Sequence, residues 1–355
     1  MNKGKINSLQ SIRAIAFLAI VATHCGVCQL GAWGVSLFVI MSGFLMVYTY
    51  ADKEVNCNVI DNFKFAVKKI AKLYPLHIIT MILAMPFFVL NASDGWQTEL
   101  LKQIVINVLL LQAWIPSDVY YFSLNGVSWY ISMCLILYFV FPWIMRWMKK
   151  VGTKKIIVMG IVMAILQSLL AYAAQIGLAG YENYEDVSRW LAYIFPLFRI
   201  MDFYVGCVIG WIHINDSKHF DRTMVGFFEM CGVALSVAAM YIFAYGKTVF
   251  GGEGMKHTSL YLFSSVILVY FVAQEQGWLG RTLSKTKLLI WIGDISAVAY
   301  LIHAIVLRYL NSGMYQLFGI SLNRYVRFGI VTSMTLVLSM MYKFAKDNYL
   351  KHKTI

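Results

Sequence analysis

Apolar runs separated by short charged clusters organise this chain. Ten runs approach the roughly 20 residues a helix needs to cross a bilayer: 9–27, 32–50, 73–92, 127–146, 156–175, 190–212, 223–245, 258–273, 289–311 and 325–343. An eleventh stretch, LLKQIVINVLLLQAWI at 101–116, is short and carries Lys102, Gln103, Asn107 and Gln112. The pattern predicts an all-α fold, a polytopic membrane helical bundle of about ten transmembrane helices. No linker, repeat or low-complexity tract interrupts it. Residues 1–355 therefore read as a single transmembrane domain with no separate soluble domain.

Charge gives the bundle an orientation. The segments 51–72 and 146–155 each carry five Lys or Arg, so both should be cytoplasmic. An odd number of crossings within 101–126 would put one of them outside. The 101–116 stretch is therefore expected at the outer interface or as a re-entrant segment, with both termini cytoplasmic. In this arrangement 22 of the 30 Lys and Arg face the cytoplasm, and Lys102, Arg189, Lys247, Lys256, Arg324 and Arg327 lie outside. The net charge of +13 is thus mostly an orientation signal and not a nucleic-acid footprint.

Composition agrees with a membrane protein: 60% of residues are hydrophobic and 13% charged, against about 25% charged in soluble domains. The first apolar run follows Lys3, Lys5 and Arg13 as a signal peptide would. It lacks a small-x-small cleavage site, so it reads as a retained first helix. Cys25 and Cys28 in HCGVC have no second pair to complete a metal site, and their redox state stays open. No metal is expected.

Ionisable groups inside spans are costly and usually face the bundle interior. Here they are Arg13, His24, Arg199, Asp202, Asp294, His303 and Arg308. Arg13 and His24 bracket RAIAFLAIVATH. Eleven helical steps make three turns plus roughly 20°, so the two share one face about 16 Å apart. Each has a plainer reading, Arg13 snorkelling to headgroups and His24 bonded to a carbonyl at the interface. A shared face weakens both. His303 sits at a depth comparable to His24, and the two could flank one cavity. Arg199 and Asp202, at i and i+3, can pair, for packing or for binding. KKIAKLYP at 68–75 offers Lys68, Lys69 and Lys72 on neighbouring helix positions. They serve as cytoplasmic anchors or as a docking site for a phosphorylated donor. His77 follows one turn later.

These motifs occur in an order that resembles the acyltransferase 3 family of bacterial membrane-bound O-acyltransferases, over about residues 8–311. Its most specific element is arginine, ten residues, histidine in the first helix. GVSLFVIMSGFLM at 34–46 resembles the family's glycine-rich second helix, and KKIAKLYP its basic stretch ending in proline. VSWYISMCLILYFVFP at 127–142 resembles its tryptophan-led helix. FRIMDFYVGCVIG and ISAVAYLIHAIVL complete the series.

The resemblance implies an O-acyltransferase, often an O-acetyltransferase. It would take an acyl group from cytoplasmic acyl-coenzyme A such as acetyl-CoA, a donor substrate and not a permanently bound cofactor. The acceptor would be a hydroxyl on an envelope polysaccharide or glycolipid sugar, the location the bacterial cytoplasmic membrane. His24 matches the family's essential histidine and Arg13 its partner. Lys68, Lys69 and Lys72 would bind the donor, Trp129 and Ser128 would lie on the acceptor side, and His303 or Arg199, with Asp202, would support the reaction or polarise the thioester carbonyl. Two departures stand out. The basic motif uses lysines where the family favours arginines. Cys134 occupies the position, five after Trp129, where the family usually has glutamate, a role Asp202 or Asp294 could take over. A transporter or flippase, and a non-catalytic relative assisting polysaccharide export, are the alternatives from other classes. Inverted repeats, which a transporter would favour, are not evident.

Overall fold

The computed structural model describes residues 4–54, 56–90, 96–178, 184–215, 220–245 and 252–353. Lys3 and Lys247, counted above for orientation, lie outside them. Every element among the described residues is helical: α1 (Asn7–His24), α2 (Gly31–Tyr50), α3 (Val59–Ile70), α4 (Tyr74–Leu90), α5 (Trp96–Val108), α6 (Asp118–Tyr121), α7 (Trp129–Lys150), α8 (Thr153–Leu178), α9 (Tyr184–Arg189), α10 (Pro196–Asn215), α11 (Arg222–Tyr245), α12 (Gly252–His257), α13 (Ser259–Val272), α14 (Trp278–Lys285), α15 (Lys287–Phe318) and α16 (Arg324–Lys353).

Eight of the ten expected spans are helices long and apolar enough to cross a membrane. The 73–92 run joins them only if α3 and α4, which meet at 60°, are taken as one broken span. The 9–27 run, α1, is not among the eight, because it carries polar side chains that the bundle interior satisfies. Ser8 Oγ donates to the carbonyl of Val272 at 2.9 Å and Ser11 Oγ to that of Leu283 at 2.7 Å. α5, at 13 residues, is about 20 Å long, too short to span.

Helix α1 is the hub. Leu9, Phe17, Ile20 and Val21 on it are buried, and it packs most extensively on α15, as α2 does on α10. Lacking a strong hydrophobic drive in lipid, such crossings need small residues. A Cβ on Gly293 of α15 would sit 2.0 Å from the carbonyl oxygen of Gln10, and one on Gly43 of α2 would sit 2.1 Å from that of Phe203. The rim consists of α8, α11 and α16; only 17% of the apolar stretch of α16 is buried, against 83% for α2.

The C-terminal end of α1 is pinned. The chain turns at Gly26, with φ +76°, a left-handed position that favours glycine. The Val27 N–H donates back to the carbonyl of Ala22 at 2.8 Å, and Arg327 of α16 donates to the carbonyl of Cys25 at 2.7 Å.

Candidate active site

Two cavities border α1. One, about 270 Å³, is lined by Arg13, Ser42, Lys69, Tyr130, Cys134, Tyr138 and Tyr300 among others. The second, about 470 Å³, is lined by His24, Asn125, Trp129, Tyr193, Tyr300, Ile305 and Arg308 among others. Arg13 and His24, on one helix face, thus open into different cavities. Tyr300 borders both, and its ring packs against Phe38 at 6.3 Å and Tyr130 at 5.4 Å between centroids. The three rings form an aromatic partition.

His24 and His303 come together directly. Nδ1 of His24 lies 2.8 Å from Nε2 of His303, and Nδ1 of His303 lies 2.6 Å from the carbonyl oxygen of Tyr300. His303 is fully buried, walled by Phe17 and Tyr300, whereas His24 is exposed to its cavity. The crossing of α1 over α15 at Gly293 is what allows this approach.

The basic stretch divides. Lys69 lines the Arg13 cavity, while Lys68 and Lys72 are exposed. Lys69 Nζ sits 4.4 Å from the Tyr50 ring centre and 5.4 Å from that of Phe65, and Lys53 contacts Tyr50 from 4.9 Å. Partial burial, reinforced by Lys72, Lys53 and Lys68, pushes the Lys69 ammonium down to a pKa of about 8. The short helix carrying it has Val59, Ile60, Phe63 and Val67 exposed beside its lysines, the character of a helix lying along a membrane surface, so Lys69 falls outside the spans.

Other sequence candidates lie further away. Arg199 and Asp202 form a buried ion pair at 2.8 Å, with Gln167 donating to Asp202. Neither lines a described cavity; Arg199 backs Tyr193, its guanidinium carbon 5.8 Å from that ring centre. Asp294 pairs with Lys5 at 2.6 Å. Both acidic candidates for the missing glutamate's role are therefore committed to cations, and the partner His24 does have is His303. Trp129 lines the His24 cavity. Ser128 instead braces the preceding loop: Gln112 donates to its carbonyl at 3.2 Å, and its own hydroxyl reaches Asn107 Oδ1 at 3.3 Å. His77 is buried against the carbonyl of Asn107 at 3.0 Å.

Asn125 and Tyr300, not singled out from sequence, also belong here, as does Arg308, one of the ionisable groups named within the spans. Asn125 spans the cavity wall, donating to Thr80 Oγ1 and to the carbonyl of Leu301, both at 2.9 Å. Arg308 donates to the carbonyl of Leu124 at 2.8 Å. The signal for Tyr300 was its place one helical turn before His303, on the same side of α15. Cys25, Cys28 and Cys134 are unpaired thiols, and among the described residues no three His, Cys, Asp or Glu gather as a metal site.

These features define a helical membrane-type protein with His24, backed by the buried His303, at one cavity and Arg13 and Lys69 at another. A family model, the acyltransferase domain of the acyltransferase 3 family, matches residues 6–343. The chain belongs to that family. It is also similar to "Acyltransferase MdmB" of Streptomyces mycarofaciens, 24% identical over 327 residues that cover 86% of this chain and 80% of the relative. No solved structure matches it.

Proposed function

We propose that this chain is an O-acyltransferase, with acetyl as the acyl group, of the bacterial cytoplasmic membrane. Ten helices cross the bilayer with both termini in the cytoplasm, and α5 and α6 lie on the outer side. The donor is acyl-CoA. Its phosphates bind near Lys69, with Lys68 and Lys72 contributing charge at the surface, and its pantetheine arm passes Arg13 towards the aromatic partition. The acceptor is a sugar hydroxyl of an envelope polysaccharide or glycolipid, entering beside Trp129, with Ser128 holding the loop behind it. The observation that carries this reading is that Arg13 and His24 share a helix face yet open into two cavities bordered in common by Tyr300.

A hydroxyl is a weak nucleophile near neutral pH, and general-base help contributes about 10²–10⁴-fold. His24, exposed to the acceptor cavity, takes the hydroxyl proton as its oxygen attacks the thioester carbon. The C–S bond breaks, and the proton passes to the departing thiolate, giving ester and free coenzyme A. His303 supports the base, while Arg199 and Asp202 hold the wall behind Tyr193. Mass spectrometry of envelope glycans from cells with and without the protein tests the acceptor assignment. Loss of one acyl mass from a glycan supports it; identical glycans contradict it.

A further inference from the structure

Building on the base role of His24, we propose that His303 is a positioning residue that sets the tautomer of His24, leaving Nε2 as the proton-accepting nitrogen. A carbonyl oxygen can only accept a hydrogen bond. The contact between His303 Nδ1 and the carbonyl of Tyr300, at 2.6 Å, therefore puts a proton on that nitrogen. A neutral imidazole carries one N–H, so Nε2 of His303 is an acceptor. The 2.8 Å contact to Nδ1 of His24 is then donated by His24. His24 has spent its N–H, and its Nε2 is a bare lone pair.

The ring geometry supports the chain of bonds. The two imidazole planes differ by 9° and their centroids are 5.0 Å apart. That separation is the N···N distance plus the two centre-to-nitrogen radii, so the rings meet edge to edge in nearly one plane. The hydrogen then lies along the acceptor's lone pair, the favourable direction. A face-on stack would place no nitrogen lone pair on the partner's N–H.

This arrangement supplies what a carboxylate would otherwise give. As Nε2 of His24 takes the acceptor's proton, positive charge develops on its ring. The Nδ1–H bond to His303 strengthens, and the charge is shared across two rings. Proton count is conserved: the hydroxyl loses one, His24 holds it, and the leaving thiolate receives it. A neutral imidazole stabilises this charge less than a carboxylate. It also avoids burying an ion in the resting state, which is costly in an apolar surround. A chain with Cys134 in place of the family glutamate can in this way keep an oriented base.

The test is ¹⁵N NMR of purified protein labelled at histidine, seven residues in all, with His24 assigned by its loss in His24→Ala. The expected wild-type spectrum has His24 protonated on Nδ1 and bare on Nε2. His303→Phe keeps a ring but no acceptor and should shift His24 towards the opposite tautomer. His303→Gln offers an amide oxygen and should restore the wild-type tautomer. In acyl transfer, kcat should fall on the order of 10²-fold or more in His303→Phe, with donor KM unchanged and partial recovery in His303→Gln. A wild-type His24 protonated on Nε2, or a tautomer indifferent to both substitutions, overturns the proposal. The spectrum needs no turnover, so its result stands apart from whether the chain transfers acyl groups.

Discussion

Lys69 is a cation held among other cations. Its pKa of about 8 means that its charge is present below that pH and is lost as pH rises through it. Donor affinity that depends on this charge should fall across the same interval. The expected outcome is a donor KM that rises above about pH 8, and an Lys69→Arg variant whose KM stays flat there, because arginine does not titrate in this range. Arg199 and Asp202 make the opposite case of charges that serve the scaffold. Removing one partner of a buried pair costs about 3–5 kcal/mol. Asp202→Asn should therefore lower thermal stability markedly while the kcat of the folded fraction stays near wild type. A collapse of kcat without loss of stability would instead give the pair a direct part in the chemistry.

At the scale of helices, the approach of α1 to α15 decides whether the histidines meet. Gly293 admits the carbonyl of Gln10 where a side chain would clash. Overpacking of this kind costs about 1–3 kcal/mol and displaces backbone. Gly293→Val should separate His24 from His303 and lower kcat together with stability, whereas Gly313, with open space around it, should accept alanine silently. Activity assays beside thermal melts check both. The shared face of Arg13 and His24 was legible from sequence, because it depends only on helical period. The contact between His24 and His303 was not, since equal depth says nothing about which faces two helices present. Ser128 was drawn to the acceptor side by its neighbour Trp129, but adjacent residues point in different directions, and its hydroxyl went to the loop. The 9–27 run was expected to span, but α1 is not among the eight helices apolar enough to cross, because residues such as Gln10 and Arg13 lower its mean hydropathy.

The whole molecule places Arg13 and Lys69 at one cavity and His24 at another, with the Tyr300 ring bordering both. The all-helical class was readable from the pattern of runs, since membrane-crossing helices leave long apolar stretches; which of them form the rim was not, since the buried α2 is at least as apolar as the exposed α16. The cavities were not, because they arise where helices diverge, a matter of packing that single residues do not announce. In the proposed reaction an acyl group passes from a coenzyme A thioester to a hydroxyl with His24 as base. Its most direct measurement is transfer of a radiolabelled acetyl group from acetyl-CoA to an envelope extract by purified protein, comparing wild type with His24→Ala at equal, folded amounts. Wild type should label the extract and release free coenzyme A in step, with His24→Ala slower by about 10²-fold or more. Equal rates in the two proteins would contradict this role for His24.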